Sequence, residues 1–198
     1  ALASAVFLIA SCDSGDVGGI TNIGVTPAVP QNGITGAATK GIITGGVVTV
    51  ADSSGAAVPI ASGGTTGADG TYSLVFTEAA IAGGISAPLV VTVTGGTMTC
   101  DIDLPGTTDD CAVGDGTSVE FGLTYPLPAT FTMRGLVASI PGADALVGTD
   151  VTVNISPASD LSAKLALDTA GTSALTVADV DTAGAQVLGL IQAITGID

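Results

Sequence analysis

From Gly46 to Phe76 large apolar side chains recur at alternate positions, broken by two clusters of small and polar residues. Val48 and Val50, then Val58 and Ile60, then Tyr72, Leu74 and Phe76 alternate with small or polar neighbours, the period of a strand with one buried face. Asp52-Ser53-Ser54-Gly55 and Gly67-Ala68-Asp69-Gly70 separate these runs. Gly reaches positive φ there and Asp or Ser bonds the adjacent backbone, so both clusters predict tight turns. The stretch reads as strand, turn, short strand, turn, strand.

The same reading extends along the chain. Gly15 to Gly46 is rich in Gly, Pro and Thr, and Pro27 and Pro30 exclude a central strand there; it predicts an extended lead-in with one strand over Gly33–Thr39. Glu78–Gly84 predicts a short helical or turn segment. Leu89-Val90-Val91-Thr92-Val93 is a strand ending at Gly95-Gly96, a hairpin turn into Thr97-Met98-Thr99-Cys100. Val119-Glu120-Phe121, Leu123-Thr124-Tyr125, Phe131–Val137 and Val151–Ile155 read as further strands. After that the period changes. Ser156 caps a helix with Pro157 at its first position and Gly171 as its stop. Leu161, Leu165 and Asp168 fall at helical spacing, with Ala163, Ala166 and Leu167 filling the face. A second helix from about Val177 to Gly196 is expected to bury Val180, Ala183, Val187, Leu188, Ile191 and Ile194. The expected fold is mainly β: an antiparallel β-sandwich over residues 41–155, preceded by an apolar segment (1–12) and a linker (13–40), and followed by a helical pair (156–198).

Three stretches carry resemblances. Val47-Val48-Thr49-Val50, Asp52, Gly55, Val58-Pro59, Thr66 and Ala68-Asp69-Gly70-Thr71-Tyr72-Ser73-Leu74 resemble the carboxypeptidase regulatory-like domain, a transthyretin-like, immunoglobulin-like β-sandwich of bacterial surface and secreted proteins. In that family the module is a non-catalytic support, so the resemblance implies a scaffold and transfers no catalytic residue. Leu8 or Ile9, then Ala10, Ser11 and Cys12 resemble the lipobox of bacterial lipoprotein signal peptides. That resemblance implies an acylated Cys12 with Asp13–Gly19 as a tether. The apolar run Ala1–Ser11 has the length of a signal h-region and is shorter than the roughly 20 residues that cross a bilayer. Val6, Phe7, Leu8 and Ile9 are alternatively an assembly segment, adding as a strand to the sheet edge of another copy. The helical pair resembles the region that follows the β-module in some bacterial lipoproteins.

Composition narrows the chemistry. The 198 residues carry 18 acidic side chains against three basic ones, a formal charge of -15, with no His and no Trp. Such a charge opposes nucleic acid and anionic membrane surfaces, and the absence of His removes the commonest general base and metal ligand. No nucleophile elbow, P-loop or dinucleotide-binding glycine run is present, so no enzyme activity and no cofactor are expected. Cys100 and Cys111 bracket an acidic loop and are expected to form a disulfide, contributing roughly 3 kcal/mol or less, with Cys12 paired to neither. Asp101, Asp103, Asp109 and Asp110, with Asp115 close behind, offer oxygen ligands for Ca²⁺; they lack an EF-hand or repeat pattern and read first as a solvated acidic loop. Lys40 reads as a solvated side chain; an isopeptide would need Asn154 beside it and Glu78 or Glu120 as proton shuttle. Arg134, the only arginine, is expected to pair with a carboxylate or carbonyl. Two functions follow as expectations. One is a non-catalytic subunit of an extracellular or cell-surface filament whose partners are copies of itself. The other is a monomeric envelope lipoprotein, touching a membrane only through lipid on Cys12 and binding a saccharide, peptide or envelope partner.

Overall fold

Three chain segments run side by side and step together from one sheet to another. The computed structural model describes residues 33–101, 111–112, 118–140 and 151–196. Strands β2 (Ile43–Thr44) and β3 (Val47–Ala51) form the first segment, β6 (Leu89–Thr94) and β7 (Thr97–Thr99) the second, and β10 (Thr124–Pro126) and β11 (Thr132–Val137) the third. β2, β7 and β10 pair in the order β10-β7-β2, and β3, β6 and β11 pair in the matching order β11-β6-β3. Thr44 faces Thr97 on one side of the step and Val47 faces Thr94 on the other, so the antiparallel register carries straight through. Gly45-Gly46 therefore lies opposite Gly95-Gly96. The hairpin expected at Gly95-Gly96 does not form; β6 and β7 are successive parts of one bent segment.

The step needs glycine for two reasons. Gly45, Gly95 and Gly96 take positive φ of 68°, 62° and 93°, which β-carbons disfavour. The two backbones also nearly touch: a Cβ on Gly96 would sit 2.7 Å from the Gly46 nitrogen and the Thr44 carbonyl oxygen. Thr66 stitches the step. Its hydroxyl accepts from the Gly46 N–H at 2.9 Å, its carbonyl accepts from Gly45 and its N–H donates to the Gly46 carbonyl. Thr66 is buried, so these bonds stand in for water that cannot enter.

Within Gly46–Phe76 the Val48–Val50 and Tyr72–Phe76 runs form strands as their pattern predicts. The short strand expected at Val58 and Ile60 runs instead from Ile60 to Gly63 and is largely exposed, and the strands divide between sheets. β4 (Ile60–Gly63) and β5 (Thr71–Phe76) join β1 (Gly33–Ala37) and β12 (Val151–Thr152) in the order β12-β1-β5-β4. The strand expected at Gly33–Thr39 thus belongs to a sheet instead of a linker, and the β unit begins ahead of residue 41. One pairing departs from the antiparallel expectation, since β1 and β12 run parallel. The Val151–Ile155 run follows β1 beyond β12, with Val153 and Ile155 donating to Thr35 and Ala37. Tyr72 reaches across β1 to donate its hydroxyl to the Val153 carbonyl at 2.5 Å. Gly36, its register partner on β1, leaves the room: a Cβ there would lie 2.9 Å from that hydroxyl.

Alternating residues of this sheet (Ile34, Tyr72, Leu74, Phe76) and of β3, β6 and β11 (Val48, Val50, Val91, Val93, Met133, Val137) share one buried core. Each fully buried Val or Leu contributes about 1.5–3 kcal/mol relative to exposure. The other face of β6 and β11 is covered by helices, where Val90 and Leu136 meet Ala166, Leu175 and Ala183. Burial on both faces explains why β6 reads as a near-continuous apolar run. A separate small core joins Met98, Cys100, Cys111 and Tyr125 beyond the glycine step. There β8 (Cys111–Ala112) and β9 (Ser118–Val119) form a short two-stranded ribbon; the strand expected from Val119 through Phe121 turns instead at Phe121-Gly122.

The helices start and stop where their caps predict. α1 (Glu78–Gly83) is one short piece with Thr77 as its cap. α2 (Pro157–Ala170) begins at Ser156 with reciprocal Ser156–Ser159 capping, and α3 (Val177–Thr195) begins at Thr176 with the same device to Asp179. The faces differ from expectation. On α2 the buried positions are Asp160, Ala163 and Ala166, while Leu161 and Asp168 are exposed. On α3 Ala183 and Val187 are buried, but Leu188, Ile191 and Ile194 are not. α2 packs on β11 at Arg134 with Asp160 inward, and its Leu165 and Leu167 are partly buried against the helix-side core.

Replacing Thr66 by Val keeps its shape and removes the acceptor for the Gly46 N–H. The expected cost is about 1–3 kcal/mol, read as a lowered urea midpoint at unchanged slope; a midpoint equal to the parent's would contradict the role given to Thr66.

Candidate functional site

The chain's three cations gather at one place. α2 meets β11 at the sheet edge, where an exposed strand would present unpaired backbone groups. Asp160 Oδ1 accepts from the Arg134 N–H at 3.0 Å, and the Ser159 hydroxyl donates to the Arg134 carbonyl at 2.9 Å. The first turn of α2 thereby occupies the backbone edge at Arg134. Asp160 is buried, and its other contacts are ionic: Lys164 Nζ lies 2.6 Å from Oδ2 and Arg134 Nη1 lies 3.8 Å from Oδ1. The pairing expected of Arg134 is met by Asp160. Nothing in the residue pattern singled out Asp160 and Lys164, although their i,i+4 spacing on a helix was the available signal. Lys40 completes the group: with Lys164, Asp160, Pro157, Thr130 and Thr132 it lines a cavity of about 390 Å³.

Lys40 is exposed, as is Asn154, whose side-chain oxygen accepts from the Ala37 N–H at 3.2 Å. An isopeptide needs the water exclusion that neither residue has here. Glu78 begins α1, and Glu120 is exposed beside the ribbon.

Cys100 and Cys111 are bonded, with sulfurs 2.11 Å apart. The disulfide fastens the β8–β9 ribbon to the end of β7. Of the calcium candidates, Asp101 is exposed; Asp103, Asp109 and Asp110 lie outside the described residues, and no metal-binding cluster occurs among the described ones. Desolvation and, after it, the Asp101 charge push the Tyr125 hydroxyl above its ordinary value. Beside the disulfide, Ile42, Gly41, Thr99 and Phe121 border an apolar groove of about 450 Å³. Val6, Phe7, Leu8, Ile9 and Cys12 lie outside the described residues.

The shifted carboxyls have architectural causes. Asp52 is held below the ordinary carboxyl value by the Ser54 hydroxyl, 2.7 Å away, and by backbone donors of Ser54 and Ala56. Asp69 is lowered by the Thr71 hydroxyl and N–H, and Asp179 by those of Thr176. Two close turns and one caps a helix. Burial raises the Tyr72 hydroxyl, which serves as a donor inside the sheet. Each of these groups serves a turn, a helix cap or a bond within the sheet.

The last turns of α3 form a different surface. From Thr182 to Thr195 the helix has no charged residue. Leu188, Leu190, Ile191 and Ile194 are 56%, 50%, 41% and 76% exposed, grouped within two turns. No helix among the described residues is long and apolar enough to cross a membrane. Comparison of the chain with family models, with characterised proteins and with solved structures finds no match.

Asp160→Ala should cost about 1–3 kcal/mol, because it leaves the Arg134 N–H without its acceptor. Asp160→Asn, which keeps an oxygen there, should lose less. Chemical denaturation of both variants checks this; an Asp160→Ala protein as stable as the parent would refute the anchoring of α2 on β11.

Proposed function

We propose that the chain is a non-catalytic structural subunit of an extracellular, cell-surface assembly of bacterial type, built on a transthyretin-like β-sandwich and joined to copies of itself. The observation that carries this reading is the apolar end of α3. Four large aliphatic side chains exposed within two turns exceed the scattered apolar residues of an ordinary surface, and contiguous patches of this kind mark macromolecular contact. The edges of the sheets support it. α2 occupies the β11 edge at Arg134, and the segment before β5 bonds along β3 through Val48, Val58 and Thr66. β4, which ends its sheet order, exposes Ala61, Ser62 and Gly63 and is available to an added strand. The segment Val6–Ile9 has the side chains to supply one. Head-to-tail contacts of this sort propagate unless they close into a ring. Support for a non-catalytic role comes from the chain having no His and from shifted carboxyls that serve turns and a cap.

The apolar groove beside the disulfide favours a second reading, a lipoprotein anchored through Cys12 whose β domain holds a peptide or the face of a sugar ring. The mass of the N-terminal peptide separates the two readings. An acylated Cys12 lacking residues 1–11, on a monomer, supports the second.

Phe7→Asp with Ile9→Asp should abolish polymerisation of the full chain while its circular dichroism stays that of the parent. Each aspartate replaces a side chain whose burial is worth about 1.5–3 kcal/mol. Fibres that form normally from the double variant, or from a chain starting at Cys12, would rule out joining through the apolar segment.

A further inference from the structure

The cavity between α2 and the start of β11 gathers nearly all the positive charge this molecule has. The chain has three basic residues against 18 acidic ones. Lys40 and Lys164 both line the cavity, and Arg134 touches Asp160, which lines it as well. Two cations therefore pair with one carboxylate, and a third borders the same cavity. Pro157, the first residue of the 14-residue helix α2, also borders the cavity, and the positive end of the helix dipole adds to the field there. Among the described residues Lys40 has no ion-pair partner. Lys164 uses one of its three donors on Asp160, and its side chain is more than half exposed. The site thus holds more cation than its own carboxylate neutralises, on a protein whose surface is otherwise acidic.

We propose that this cavity receives a carboxylate side chain presented by a second copy of the chain. The inference rests on the reading that copies associate, and adds where the electrostatic contact falls. Charge complementarity identifies the occupant. Two molecules of formal charge -15 repel over most orientations, and like charges brought together at an interface cost several kcal/mol. An approach that sets acidic side chains of one copy against Lys40 and Lys164 of the next replaces repulsion with attraction. The apolar surfaces then hold the contact while the lysines choose its orientation. Thr130 and Thr132, which border the same cavity, supply hydroxyls suited to the second carboxylate oxygen. Lys40 is the informative position, because changing it disturbs no ion pair of the described fold.

The test mixes equal amounts of unlabelled and nitrogen-15-labelled full-length protein under assembling conditions, then couples amines to adjacent carboxylates with a carbodiimide. The expected products are peptides joining Lys40 or Lys164 to Asp or Glu, with mixed-label pairs as frequent as same-label pairs. Lys40→Glu should weaken association measured by sedimentation about tenfold or more, and Lys40→Arg should restore it. Same-label products only, or association of Lys40→Glu at parental strength, would overturn the inference while leaving self-assembly intact. A saturable shift of the Lys40 amide by acetate, with association unaffected by acetate, would also overturn it by assigning the site to a small free carboxylate. A parent protein that stays monomeric at every concentration would remove both the inference and the reading beneath it.

Discussion

Four glycines facing each other across one antiparallel pair set the shape of this molecule. At Gly45-Gly46 and Gly95-Gly96 the two backbones approach so closely that a single β-carbon on Gly96 would strike both Thr44 and Gly46. The segments cross there from one sheet to another without losing register. The third segment follows by a looser route, with Leu127 donating to Gly96 and Gly95 donating to Phe131. A bend shared by three strands separates two sheet cores, and the helix-covered face of β6 and β11 makes a third. Of the two sheet cores, the larger lies between β3, β6, β11 and the sheet of β1 and β5, and the smaller lies around the disulfide. The disulfide is placed where it is most needed, since four short strand ends alone bury little.

The remaining features follow from how edges are covered. A chain so poor in charged side chains has few means of blunting a strand edge with lysine. It uses a helix instead: Ser159 and Asp160 bond the Arg134 backbone, and two of the three cations then neutralise the buried aspartate. The carboxylate that anchors α2 pairs with Lys164, which lines the neighbouring cavity together with Lys40. The last turns of α3 are left with aliphatic side chains toward solvent.

Much of the β framework was legible because alternation at Val48–Val50 and Tyr72–Phe76 directly encodes a buried face, and because the Asp-Gly clusters admit few other conformations. The signals at Ser156, Gly171 and Gly196 were equally local, so those helix ends were legible too. What failed was non-local. Gly95-Gly96 carries the same residues whether a chain reverses or crosses to another sheet, and only the facing pair at Gly45-Gly46 decides. The helix faces were misjudged for a related reason: ranking by hydrophobicity favoured Leu161 and Ile194, whereas a backbone donor on β11 draws the polar Asp160 inward. The disulfide could be read from the loop it closes. The cation cluster could not, because Lys40, Arg134 and Lys164 are brought together only by the docking of α2.

The glycine step that turns all three strands belongs to the cooperative core of the molecule. Native-state hydrogen exchange measures this directly at the amides of Gly46 and Thr66. Both donate inside the step, to Thr66 Oγ1 and to the Gly46 carbonyl respectively. If the step organises the three strands, these amides open only with the whole domain, with the same exchange free energy and denaturant dependence as Val91 and Val93 at the centre of β6. Exchange of Gly46 and Thr66 through a low-energy local opening, while β6 stays protected, would contradict it.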